Sequence, residues 1–313
     1  MGFSVKINRR QFLGLTGAAA GTVLAGTPER TRAAGPPISP DAVGCLVDTT
    51  LCIGCRKCEQ ACNERNKLPE PDISFEDLSV FENKRRPDEK SYTVVNRYQQ
   101  QSRAFGGSSE KATYVKFQCM HCNDPACVSA CIVGALSKQP GGPVIYDPKK
   151  CIGCRYCMVA CPFEIPAFEY NIALDPEIRK CTFCFEYIKK AGGLPACAQI
   201  CPTETIIFGK RSDLLKTARW KIRSNPGKYL DHIYGEHEAG GTSWMYLTAR
   251  PFEEIGLPKL GINAPPRLTE SIQHALFQFF AIPLVLFGLL GALMWKTGRK
   301  REIQDNQEKG KET

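Results

Sequence analysis

The stretch Cys151-Ile152-Gly153-Cys154-Arg155-Tyr156-Cys157-Met158-Val159-Ala160-Cys161-Pro162 has the spacing Cys-x2-Cys-x2-Cys-x3-Cys-Pro. Thiolates are soft anionic ligands, and three at x2 spacing can wrap one corner of a small polymetallic core with the loop amides turned toward its sulfides. The fourth, about one helical turn further on, points away and in two-cluster ferredoxins ligates the neighbouring cluster. The stretch therefore reads as a 4Fe-4S loop, and the chain holds four of them. Cys52, Cys55, Cys58 and Cys62 repeat the spacing; Cys119, Cys122, Cys127 and Cys131 widen one gap to four residues; Cys181, Cys184, Cys197 and Cys201 open the middle gap to twelve. Sixteen of the 17 cysteines are so used. Pro162 and Pro202 give the Cys-Pro ending of the bacterial pattern, whereas Asn63 and Ile132 stand there in the first and second groups.

Structural zinc also uses Cys-x2-Cys pairs, but it takes two pairs across a longer loop to close one tetrahedron, and repeated runs of three do not suit that plan. A disulfide framework is the ordinary reading of many cysteines in an exported chain. A chain of 313 residues can bury a core without such staples, and disulfide geometry does not ask for one ligand spacing four times over.

Both ends carry targeting signals. Asn8-Arg9-Arg10-Gln11-Phe12-Leu13, followed by the Gly- and Ala-rich run Gly14 to Gly26, reads as a twin-arginine export signal, with small residues Thr31 and Ala33 near a cut site. That route carries folded proteins, so clusters can be inserted in the reducing cytoplasm. Ala275 to Trp295 is free of formal charge and, as a helix of about 31 Å, is long enough to cross the hydrocarbon core once. Lys296, Arg299, Lys300 and Arg301 follow it, against Lys259 and Arg267 in the twenty residues from Pro251 to Glu270. The positive-inside rule then puts the tail in the cytoplasm and the cysteine-rich body in the periplasm.

The formal charge of +9 does not point to nucleic acid. Residues 1–33 hold Lys6, Arg9, Arg10, Arg30 and Arg32 against Glu29, so +5 is left for the rest. Four oxidised clusters with their thiolates would add about −2 each. No basic stripe interleaved with aromatics is present.

Residues 1–34 are thus expected to be signal peptide, 35–118 the first part of an outer ferredoxin-like half with an insertion, and 119–170 an inner half. Residues 171–211 complete the outer half, 212–268 form an extension, 269–296 the transmembrane anchor and 297–313 the cytoplasmic tail. The nesting follows from spacing: nineteen residues, Ile132 to Lys150, join groups two and three, while fifty-six separate groups one and two. The fold class is α+β: two double-4Fe-4S ferredoxin-like halves, one inside the other, plus a single C-terminal membrane helix. In the long spacer, Ser91 to Tyr98 and Ala112 to Phe117 are strand-like around the loop Phe105-Gly106-Gly107-Ser108. Val144 to Tyr146 is a short strand, Ser212 to Arg223 a helix capped by Ser212, and Ser243 to Thr248 a strand within an extension too poorly patterned to fold alone.

Cys45 reads as a small buried side chain, and His121 as a packing residue that could also reach a cluster sulfur. His232 and His237 read as surface residues. His274, at the outer entrance of the anchor, suits interface anchoring or contact with a quinone or a haem-bearing partner. Arg56, Lys57, Lys150, Arg155, Arg179 and Lys180 adjoin cluster cysteines, where positive charge favours the reduced form. There is no Gly-rich nucleotide fingerprint, no Ser/His/Asp set and no histidine metal cluster, so no catalytic residue is assigned.

These features together resemble the four-cluster iron-sulfur subunits of membrane-bound respiratory oxidoreductases, and among them the HybA-type subunits of uptake hydrogenases. The resemblance rests on Asn8-Arg9-Arg10, Cys52-Ile53-Gly54-Cys55, Gln118-Cys119-Met120-His121-Cys122, the stretch Cys151 to Pro162, Gly192-Gly193-Leu194-Pro195, Tyr234-Gly235-Glu236 and Ile272-Gln273-His274. It implies that Cys52, Cys55 and Cys58 share a cluster with Cys201, and Cys181, Cys184 and Cys197 with Cys62. It likewise implies that Cys119, Cys122 and Cys127 pair with Cys161, and Cys151, Cys154 and Cys157 with Cys131, giving four 4Fe-4S clusters. The expected function is electron relay between a periplasmic catalytic subunit, NiFe hydrogenase, and an integral membrane quinone-reactive subunit, with membrane lipid around the C-terminal helix. Formate dehydrogenase and other molybdenum or tungsten enzymes use similar subunits and supply the alternative partner. The remote alternative is an exported zinc-binding anchoring module.

Overall fold

The computed structural model describes residues 39, 42–99, 112–266 and 281–309. The expected signal peptide, the loop Phe105 to Ser108, His274 and the first turns of the expected anchor lie outside them. All four cysteine loops belong to one unit, residues 35–313.

In chain order the body runs β1 (Val43–Asp48), α1 (Lys57–Asn66), β2 (Thr93–Tyr98), β3 (Thr113–Gln118), α2 (Ala126–Ser129), β4 (Leu136–Lys138), β5 (Val144–Tyr146) and α3 (Tyr156–Ala160). It continues with β6 (Ala167–Phe168), β7 (Ile178–Arg179), α4 (Phe185–Ala191), α5 (Ala196–Gln199), β8 (Ile206–Lys210), α6 (Arg211–Ser224), β9 (Trp244–Leu247) and α7 (Ala281–Lys309). Strands β2 and β3 form the expected hairpin, with Thr93 opposite Gln118, and β4 pairs antiparallel with β5.

Chain segments far apart in sequence meet in one sheet of order β8-β1-β9. β1 pairs antiparallel with β8, Cys45 opposite Phe208, and parallel with β9, Cys45 opposite Trp244. Helix α1 packs on α5, so the loops of Cys52 and Cys197 adjoin; α2 packs on α3, which does the same for Cys127 and Cys157. The extension goes deeper than lying over the body, because its strand β9 is fully buried and Trp244 and Tyr246 join the main core with Cys45, Phe183 and Ile206. A second core has Leu46 and Met245 against Leu214, Leu215 and Ala218 of α6. Asp48 ends β1 by accepting from Lys221 at 2.9 Å and Tyr229 at 2.8 Å, which fastens α6 and the following segment to the sheet.

One local expectation is corrected. Helix α6 begins at Arg211 with Lys210 at its N-cap, so Ser212 lies inside the first turn and caps nothing. The Arg211 side chain is what fixes this end, donating to the carbonyls of Thr242, Gly235 and Glu236. Among the described residues no helix is long and apolar enough to cross a membrane; of the span expected from Ala275, the described part starts at Ala281.

Leu46 is fully buried between β9 and α6. Leu46→Ala is expected to lower stability by about 2–5 kcal/mol, read as an earlier midpoint in anaerobic guanidinium unfolding. Iron content should stay unchanged, because this core contains no cysteine.

Candidate iron-sulfur site

The four Cys-x2-Cys loops share one backbone device. The residue before the second cysteine has positive φ in every loop: Gly54 at 74°, His121 at 48°, Gly153 at 69° and Phe183 at 59°. This left-handed residue reverses the chain within the loop and turns its own amide back to the first thiol. Gly153 N donates to Cys151 Sγ at 3.4 Å, and Phe183 N to Cys181 Sγ at 3.3 Å. The device costs about 1–2 kcal/mol where the residue is not glycine, as at His121 and Phe183. Both are buried and packed edge to face on each other, ring centroids 5.0 Å apart.

The fold gathers the thiols into neighbourhoods, seen in which thiols add to the effect of burial on a given cysteine. Cys201 and Cys55 raise the pKa of Cys52, and Cys197 and Cys52 that of Cys58. Cys181, Cys197 and Cys184 raise that of Cys62. Cys119 and Cys161 raise those of Cys122 and Cys127, and Cys131, Cys151 and Cys154 that of Cys157. Between these quartets, Cys127 neighbours Cys157, Cys181 neighbours Cys119, and Cys58 neighbours Cys197. These three contacts link successive sets of thiols.

Burial dominates the chemistry of these thiols. It pushes Cys52 and Cys157 up to about 11 and Cys127 and Cys181 up to about 12, with neighbouring thiols adding to the rise. Left to themselves they would be neutral at pH 7, and bound metal cations are what would hold them as thiolates. Cys201 is the exception: burial raises it, but Thr203 and the backbone amides of Thr203, Thr205 and Ile206 together bring it below the usual thiol value. The buried polar atoms without a partner among the described residues include His121 Nε2, Asn123 Nδ2 and Trp244 Nε1. All three can donate, which suits a sulfide-rich core whose surface accepts. Among the described residues no group of three or more His, Cys, Asp or Glu is set to hold a single metal ion. A polynuclear core needs wider spacing, with one thiolate on each iron, and the donor set fits it.

Of the basic residues that adjoin the cysteines in sequence, most are committed elsewhere. Arg56 is buried and bonded to Glu59 at 3.1 Å and to the carbonyls of Ser74 and Asp77. Glu59 also accepts from Arg85 and from Val95 N, both at 2.6 Å, so this network ties the insertion to α1. Arg179 pairs with Glu169 and Glu177, Lys150 with Asp147, and Arg155 lies over Phe168 and Tyr170. Lys180 stays buried, donating to the carbonyls of Val144 and Cys181. Sequence reasoning missed buried Lys116 and half-buried Lys138, two further ammonium groups beside thiols. The signal for Lys116 was a lysine amid the apolar run Tyr114-Val115-Lys116-Phe117, three residues before Cys119. His121 Nδ1 accepts from Val144 N at 2.9 Å, and burial holds the imidazole neutral, well below its usual pKa. Cys45 is fully buried in β1, as expected.

Known proteins share this pattern of loops. The 4Fe-4S dicluster domain family matches residues 111–211. A protein of Nitratidesulfovibrio vulgaris is 47% identical over 302 residues, 95% of this chain and 79% of that protein. Hydrogenase-2 operon protein HybA of Escherichia coli O157:H7 is 39% identical over 320 residues, 90% of this chain and 94% of its own length. The nitrate-inducible formate dehydrogenase iron-sulfur subunit of Escherichia coli K12 is 31% identical over 275 residues, 84% of this chain and 88% of that subunit.

Glycine is needed for different reasons in two loops. A Cβ on Gly54 would meet the Tyr114 ring at 2.5 Å, whereas one on Gly153 finds only ordinary contact with Phe168 at 3.8 Å. Gly54→Ala should therefore lose iron from the purified protein, while Gly153→Ala keeps its full complement at a stability cost of about 1–2 kcal/mol; metal analysis of both variants checks the contrast.

Proposed function

We propose, from the premise that this chain belongs to the family of iron-sulfur subunits that includes HybA and the formate dehydrogenase iron-sulfur subunits, that it relays electrons singly through four 4Fe-4S clusters. The serial contact of the four thiol quartets carries this reading, since a relay needs its stations in line and close together. The order is Cys131/Cys151/Cys154/Cys157, then Cys119/Cys122/Cys127/Cys161, then Cys62/Cys181/Cys184/Cys197, then Cys52/Cys55/Cys58/Cys201.

A bound 4Fe-4S cluster supplies reversible one-electron chemistry at a potential set by charge, hydrogen bonds and solvent exposure. The chain holds each core by the four thiolates named, keeps water from the middle of the series by burying Cys119, Cys127, Cys181 and Cys197, and opens one end at the exposed Cys154. Ile152, Tyr156 and Val159 are exposed around Cys154 and offer an apolar surface to a partner.

The partners in this reading are a periplasmic NiFe hydrogenase as electron source and a quinone-reactive membrane subunit as acceptor, with the reverse flow chemically allowed; the likeness to a hydrogenase-2 operon protein supports the first. The twin-arginine start, the charge-free run from Ala275 to Trp295 and the basic residues after it support a single-pass anchor with the body in the periplasm. Leu286, Phe287, Leu293, Met294 and Trp295 are exposed along α7, as lipid contact requires. The likeness to a formate dehydrogenase subunit supports a second reading with a molybdenum or tungsten partner.

Metal analysis of the complex purified anaerobically through this chain separates the two partners: nickel beside iron is expected, and molybdenum or tungsten in its place would move the relay to the second. Cys154→Ser is expected to lose or convert one cluster and to bring quinone reduction to background, while the catalytic subunit still reduces an artificial dye. Unchanged quinone reduction in that variant would contradict the serial relay.

A further inference from the structure

Lys116 on β3 is a buried ammonium set among thiols and the Tyr246 hydroxyl. It is 2% exposed, and it lines the cavity shared by Cys52, Cys55, Cys58 and Cys201. Its Nζ donates to Gln118 Oε1 at 2.8 Å and sits 4.5 Å over the Trp244 ring. Gln118 Nε2 donates in turn to Tyr246 Oη at 2.7 Å, and that hydroxyl donates to the Lys116 carbonyl at 2.8 Å. The ring of bonds fixes where the charge sits. Among the described residues no carboxylate pairs with it, in contrast to Arg56 and Arg179. Trp244 in turn packs edge to face on Phe183, which stands between Cys181 and Cys184. The charge of Lys116 bears on Cys52, Cys58, Cys62, Cys181 and Cys184 of the last two quartets, and also on Cys45, Tyr246 and His121. The second quartet has cations of its own in Lys138, beside Cys122, and Lys180, beside Cys127.

A buried cation without a counter-charge is strongly unfavourable, and among the described residues no carboxylate relieves this one. We propose that Lys116 is a fixed counter-charge shared by the clusters of Cys52/Cys55/Cys58/Cys201 and Cys62/Cys181/Cys184/Cys197, and that it raises the potentials of both. An electron entering either cluster makes it more negative, so a fixed cation nearby favours the reduced form. The two stations furthest from Cys154 are thereby made better acceptors than they would be without this charge. The inference rests on the four-cluster reading.

The test is an EPR-monitored redox titration of the intact holoprotein. Lys116→Met keeps the length and apolar stem and removes the charge. At fixed ambient potential the reduced-to-oxidised ratio of two clusters should fall at least about tenfold, which is 59 mV for a one-electron couple, while the other two stay within about threefold. Lys116→Arg should keep all four near wild type. If Lys116→Met does not load its clusters, Gln118→Glu sets a carboxylate against the ammonium and should lower the same two. Four unmoved potentials in a fully loaded variant, or four that move alike, would overturn the assignment. A wild-type chain with fewer than about sixteen irons sinks the four-cluster reading itself, and this proposal with it.

Discussion

Three thiols from one short loop can converge on one point only if the chain turns sharply between the first two, and each of the four loops does this with a left-handed residue before its second cysteine. That turn brings an amide back to the first thiol, and the third cysteine then opens a helix in three groups, Cys58 in α1, Cys127 in α2 and Cys157 in α3, whereas in the fourth α4 intervenes and Cys197 begins α5. The packing of α1 on α5 and of α2 on α3 then decides which loops become neighbours. The arrangement of thiols thus descends from a backbone constraint met four times, and the sheet β8-β1-β9 holds the assembly closed.

Packing so many thiols into a core sets up the second physical problem. Burial drives nearly every thiol whose shift is resolved toward its neutral form, and neighbouring thiols drive it further. The chain answers with hydrogen bonds at Cys201 and with a buried lysine, Lys116, beside Cys58 and Cys181. Carboxylates are kept for the surrounding frame: Glu59 binds Arg56 and Arg85 in the insertion, and Asp48 binds Lys221 on α6. Glu59 adjoins Cys58 and raises its pKa, and its two arginine partners offset that charge beside the thiols.

The parts of this fold that follow from local chemistry were legible in the sequence. Cysteine spacing marked the four loops, alternation marked β2 and β3, and turn residues bracketed Val144 to Tyr146. What escaped depended on distant contacts. Nothing local says that Trp244 to Leu247 will lie parallel to β1, because that register is fixed by a core built from α6. Ser212 looked like a cap by residue type, but the start of α6 is set by Arg211 reaching the carbonyls of the extension. The basic residues adjoining cysteines in sequence were mostly ion-paired partners of the frame, while Lys116 acts across strand pairing and came into view only with the fold. Which cysteine loops adjoin was likewise invisible, since it depends on which helices pack together.

Iron and acid-labile sulfide per chain, measured on the anaerobically purified protein, test the central claim most directly. About sixteen of each per chain is the result predicted for four complete 4Fe-4S cores. Zinc near one or two per chain with no labile sulfide would contradict it, and would turn the four loops into a structural metal scaffold.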